Sequence, residues 1–149
     1  MAVPPAPRRL VRERARRRGE DCHAEARWQC VRFTLAPGLP PSAGGADEAD
    51  NVASACRTGN ERRGNRLEGR APETQAVVSL CNPRRDLWAE HLAWDATRLR
   101  IVGCTPRGRA AAEIRDRNDD RHDGTVRRSR VRDVADGDHP PPDAPRLSA

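Results

Sequence analysis

Aromatic side chains are scarce in this sequence: Phe33 is the only phenylalanine, tyrosine is absent, and Trp28, Trp88 and Trp94 supply the rest. Aromatics bury the most area per residue, so a core built with so few of them is thin. The hydrophobic fraction is 36% and the charged fraction 34%, where an ordinary globular domain has about 45–50% and about 25%. A chain of 149 residues with this balance supplies one small domain and tails. It is expected to be marginally stable unless a metal or a partner contributes.

Every basic residue counted in the 28 is arginine, and the formal net charge is +6. Guanidinium groups pair with phosphate in bidentate fashion, which points to a polyanion such as nucleic acid. A GC-rich coding sequence gives the same bias without any such partner. The five cysteines fall at 22, 30, 56, 81 and 104. An odd count behind an N-terminus without an apolar leader argues against a secreted disulfide framework. No apolar run approaches the length that crosses a bilayer. The expectation is a cytoplasmic protein of bacterial intracellular type with no membrane partner.

Pro-rich residues 1–9 are expected to be disordered or extended, and Leu10–Arg18 to form a short basic helix ending at Gly19. Trp28–Leu35 alternates with Val31, Phe33 and Leu35 on one face, a half-buried strand. Residues 36–45 carry the prolines and glycines of a loop. Asp50 is placed to cap a short helical turn through Asn51–Ala55. Arg57–Arg70 is basic and glycine-broken, an exposed loop or a backbone approach to phosphate. Ala76–Leu80 suggests a short strand. Leu87, Trp88, His91 and Leu92 give Asn82–Trp94 helical spacing, and Arg98–Gly103 alternates as a strand. Thr105-Pro106 is a helix start, Thr at the N-cap and Pro in the first turn. The class is α+β, with a basic arm at 1–18, a domain over 19–119 and a charged, Pro-rich tail at 120–149. Cys81 and Cys104 are expected as small apolar fillers, and His122 and His139 fall in the tail.

Two stretches carry a family likeness. Residues 43–70 read AGGADEADNVASACRTGNERRGNRLEGR, and residues 72–118 include PET, NPRRDLWAEHLAW, RIVGCTP and GRAAAEIRDRN. Together they resemble small bacterial HNH endonucleases with paired CxxC knuckles. The resemblance implies a small ββα-metal domain with a C-terminal strand–helix extension and disordered tails. It implies a divalent metal, magnesium or manganese, beside the scissile phosphate of DNA, and a structural zinc held by four cysteines.

Position by position, Asn51 matches the asparagine that fixes the catalytic loop, and Asn60 the residue near the metal. Cys22 and Cys56 match one cysteine of each knuckle. His23 and Cys30 are the available substitute zinc ligands. Arg57, Arg62, Arg63, Arg66, Arg84 and Arg85 are the expected DNA contacts. Arg84, Arg85, Trp88, His91, Trp94, Thr105, Pro106, Gly108 and Arg109 match a downstream block. Ala36 and Pro37 stand where the family places its acid–histidine pair, and Gly19 and Gly59 stand where it places the other two zinc cysteines. Neither alanine nor proline accepts a proton or binds a metal through its side chain. The expectation is therefore a DNA-binding HNH-type protein impaired in hydrolysis. The alternatives are a nonenzymatic nucleic-acid-binding relic and a decayed chain without a stable fold.

Overall fold

The structure is a computed structural model that describes residues 3–24, 32–115, 118 and 125–137. In chain order the elements are α1 (Pro5–Arg14), β1 (Thr34–Pro37), β2 (Val52–Ala55), α2 (Arg57–Arg63), β3 (Glu68–Arg70), β4 (Val77–Ser79), α3 (Trp88–His91), β5 (Leu92–Trp94), β6 (Ile101–Gly103), α4 (Pro106–Ile114) and α5 (Thr125–Ala135). The class is α+β, as expected. The described strands pair as three separate antiparallel ribbons, β1–β2, β3–β4 and β5–β6.

Each ribbon is too small to bury a face alone, and each leans on a helix. Val52 of β2 packs with Val11 of α1 and Val3, supported by Leu35 and Ala49. Leu80 and Cys81 pack on Ala110 and Ala111 of α4, with Val78 and Ile114 alongside. Leu92, Trp94 and Ile101 form a third cluster with Trp88 and Ala112. The thin aromatic supply shows here: one buried indole, Trp94, anchors the third cluster, and the other two are built from Val, Leu, Ala and Cys.

The β1–β2 register pairs Ala36 with Ala53 and Pro37 with Val52. Pro37, without an N–H, sits at the last ladder position, where it removes least. Beyond it, residues 38–51 form a loop containing one 3-10 turn, Pro41–Ala43. Helix α2 then leaves β2 directly and packs back on β1. The expected turn after Asp50 is instead strand β2, because pairing with β1 outweighs the local capping signal. The expected basic loop contains α2, with Gly59 inside it and Gly64 ending it at positive φ.

Other expectations also shift. Helix α1 starts at Pro5 and stops at Arg14. Proline costs nothing in a first turn, where the N–H has no helical partner. Arg16 and Arg17 then take positive φ and turn the chain. The long helix expected over 82–94 is a single turn, α3, followed at once by β5. Thr105 caps α4 as expected, accepting from the Gly108 N–H at 3.1 Å. The expected tail contains α5. Its Arg130 lies over the Trp94 ring at 5.1 Å and donates to the Leu99 carbonyl at 2.6 Å. Cys81 is buried as a filler, whereas Cys104 is exposed. The start of the expected strand (Trp28, Cys30, Val31), with His122 and His139, lies outside the described residues.

Candidate functional site

The loop between β1 and β2 is held by one side chain. Asn51 Nδ2 donates to the carbonyls of Leu39 at 2.8 Å and Ala46 at 2.9 Å, while its Oδ1 accepts from the Leu39 N–H at 2.9 Å. An amide side chain carries two N–H donors and a carbonyl acceptor, so it can make all three bonds at once. Gly45 must lack a side chain, because a Cβ there would fall 1.8 Å from the Leu39 carbonyl oxygen. Asn51 thus braces the loop.

The strand end that this loop follows faces α2. Arg63, only 6% exposed, donates from Nη2 to the Pro37 carbonyl at 2.6 Å and from Nη1 to the Gly38 carbonyl at 3.2 Å. Burial pushes its pKa below the ordinary guanidinium value. Around it lie Ala36, Ala53, Ala55, Asp21 and Arg115. Asp21 and Arg115 are both buried and form an ion pair. The expected role of Arg63 as a DNA contact is corrected: its charge is spent on two backbone carbonyls. The donors for a catalytic metal do not fit either. Ala36 and Pro37 offer no side-chain ligand, and a cationic side chain stands between the strand end and the helix. Asn60 is half-buried on α2.

The four knuckle positions converge. A Cβ on Gly19 would lie 2.6 Å from Cys22 Sγ and 3.7 Å from the Cys56 backbone nitrogen, and one on Gly59 would lie 3.1 Å from Cys56 Sγ. Glu20 joins the two segments: its N–H donates to the Ser54 carbonyl at 2.9 Å, and its Oε2 accepts from the Ser54 N–H at 3.0 Å. Zinc needs four tetrahedral ligands in a structural site. Two thiols and two glycines do not supply them. Among the described residues no group of three or more His, Cys, Asp or Glu side chains is placed to hold a metal ion. His23 is stacked on Trp88, ring centroids 4.2 Å apart.

The other expected DNA contacts divide. Arg84 is largely buried and pairs with Glu20 at 3.3 Å, beside Arg14, which pairs with the same carboxylate at 2.8 Å. It belongs to a part-buried ion cluster, in which its charge is shared with Glu20. Arg57 is exposed and paired with Glu61 at 2.6 Å, Arg62 is half-buried, and Arg66 and Arg85 are exposed. Arg12, Arg16, Arg17, Arg127 and Arg128, in two further arginine-rich stretches of the sequence, are also exposed. Sequence pattern alone had no signal to separate buried from displayed arginines.

The downstream block is a structural clasp. Arg107 grips Asp86 through Nη2–Oδ2 at 2.8 Å and Nη1–Oδ1 at 3.2 Å, and it donates to the Ser79 carbonyl at 3.1 Å. His91 Nδ1 lies 2.7 Å from Thr105 Oγ1. Gly108 lies against the His91 backbone, where a Cβ would meet the carbonyl oxygen at 1.9 Å. Arg109 pairs with Glu73. A cavity of about 220 Å³ adjoins this clasp, lined by Glu20, Asp21, Asp86, Leu87, Trp88 and His91 among others. A guanidinium holds each of the three carboxylates: Arg14 and Arg84 on Glu20, Arg115 on Asp21, Arg107 on Asp86. Burial works against the charged form of Asp86, but the Asn82 N–H and the Arg107 guanidinium outweigh it and keep its pKa below the ordinary carboxylate value.

No helix among the described residues is long and apolar enough to cross a membrane. No family of known proteins, no curated protein and no solved structure matches the chain.

Proposed function

We propose that this chain is a DNA-binding protein of the HNH type, built on a ββα-metal scaffold, that does not hydrolyse DNA as it stands. The observation that carries this reading is the strand end beside α2. Ala36 and Pro37 replace a metal-binding carboxylate and a general base, and the Arg63 guanidinium is fixed on the adjacent carbonyls. The order β1, loop, β2, α2, with the loop braced by Asn51, supports the scaffold. The exposed arginines support an electrostatic, sequence-independent hold on phosphate.

The test pairs two measurements on the purified chain. Plasmid nicking with magnesium or manganese should be absent, and binding to random-sequence duplex should weaken steeply with salt. Metal-dependent nicking that survives repurification, or binding indifferent to salt, overturns the reading.

A further inference from the structure

A cavity of about 10 Å³ lies at the end of β1, lined by Ala36, Pro37, Ser54, Arg63 and Arg115 among others. That is room for one water-sized particle. Two of the lining side chains have donors to spare. Arg63 is 6% exposed and donates to the Pro37 and Gly38 carbonyls, which leaves the rest of the five N–H groups of its guanidinium without a protein acceptor among the described residues. Carbonyl dipoles solvate its charge but do not cancel it, and among the described residues no carboxylate pairs with it. Ser54 is 5% exposed; its N–H and carbonyl both bond to Glu20, but its hydroxyl has no hydrogen-bond partner among the described residues. Buried polar groups are bonded as a rule, and an exception calls for a water or an ion. The charged side chains on the cavity wall are two guanidiniums, Arg63 and Arg115, and one carboxylate, Asp21, which Arg115 already holds. The wall is therefore left with a net positive charge. An uncompensated buried charge is costly, and an arginine does not shed its proton to relieve it.

We propose that this cavity is a binding site for a small monovalent inorganic anion, chloride being the biological example, with donors supplied by Arg63 and Ser54. The anion is the counter-ion to Arg63 that the chain itself does not provide. Size excludes phosphate, sulfate and carboxylates, and the positive wall repels metal cations. A water molecule would satisfy the donors but leave the charge uncompensated. Binding makes hydrogen bonds and an ion contact only, and no proton moves. The site holds no DNA phosphate, so it and the DNA-binding reading can fail separately.

The experiment follows urea unfolding of the full chain, without DNA, at constant ionic strength while sodium chloride replaces sodium gluconate. The gluconate anion is too large to enter. An anion that binds only the folded chain stabilises it by mass action. Each tenfold rise in chloride should lower the unfolding constant, by up to about tenfold once chloride exceeds its dissociation constant. Bromide should act as chloride does, and crystals grown in bromide should show an anomalous-scattering peak at the end of β1. Ser54→Ala should weaken the chloride response and Arg63→Met should abolish it. Coincident chloride and gluconate curves would mean that only water occupies the cavity, and would overturn the proposal. So would a chloride response that survives Arg63→Met, since exposed arginines would then be its source. If Arg63→Met does not fold, Ala36→Asp decides. A carboxylate on the cavity wall should take the place of the anion and remove the response, and an unchanged response overturns the proposal.

Discussion

The Arg63 guanidinium, carried on α2, donates to the Pro37 carbonyl at 2.6 Å across the end of β1. It ties helix to strand at the point where the resemblance would put a metal. A fixed organic cation thus holds the two elements together, and it brings no exchangeable ligand.

Arg63→Met should therefore act on stability rather than on DNA affinity. Hydrogen bonds from a charged donor contribute about 1.5–3 kcal/mol each, but removing the buried charge offsets part of that. A net loss of about 1–3 kcal/mol is expected from urea unfolding. A fall in DNA affinity at unchanged stability would show that the side chain is displayed after all.

Asn51→Ala removes three hydrogen bonds from the β1–β2 loop. The expected cost is about 1–3 kcal/mol, at about 0.5–1.5 kcal/mol net for each bond, because the Leu39 groups are half-buried and the Ala46 carbonyl is exposed to water. Amide exchange should quicken over residues 38–51 while α4 stays protected. Uniform quickening across the chain would contradict a local brace.

Acid sensitivity should report on Asp86. Its pKa is depressed in the folded chain, so its contribution is fully present above the unfolded value of about 3.9. That contribution is lost as pH falls through the lower, folded value. Asp86→Asn should destabilise the chain at neutral pH and flatten the loss of stability as pH falls below about 4. An unaltered acid limb in a thermal-melt series would remove Asp86 from the account.

DNA binding should follow exposed arginines only. Replacing Arg12, Arg16 and Arg17 together by Gln should reduce the slope of log K against log salt by up to about 3, near 0.9 per phosphate contact. Arg84→Gln, inside the Glu20 cluster, should lower stability and leave the slope alone. The reverse pattern would place the interface on the other face.

Rebuilding hydrolysis should need more than the catalytic pair. Ala36→Glu with Pro37→His restores a carboxylate and a base, worth about a hundred- to ten-thousand-fold in a working site. Arg63 still stands against the strand end and the knuckle still lacks two sulfurs. Nicking is expected only when Gly19→Cys, Gly59→Cys and Arg63→Ala are added. Activity in the two-residue variant alone would refute the claim that Arg63 blocks the site.

Local signals were enough wherever one residue's chemistry decided the outcome. Thr105-Pro106 started α4 because a hydroxyl acceptor and a preset φ act within one turn, and the mixed α+β class follows from short alternating and helical patterns. The three bonds by which Asn51 braces the loop join residues up to twelve positions apart, and only the folded loop brings them together. What the sequence left open was settled by distant partners. Val52–Ala55 became a strand because β1 lay opposite it, and the basic stretch after Cys56 became a helix because it could pack on β1. Arg63 and Arg84 look like Arg57 and Arg85 in the sequence. Arg63 is buried and Arg84 half-buried because carbonyls and a carboxylate from residues more than twenty positions away come to meet them. Charge is written into a residue type, but whether that charge faces solvent or the interior depends on which groups the folded chain brings beside it.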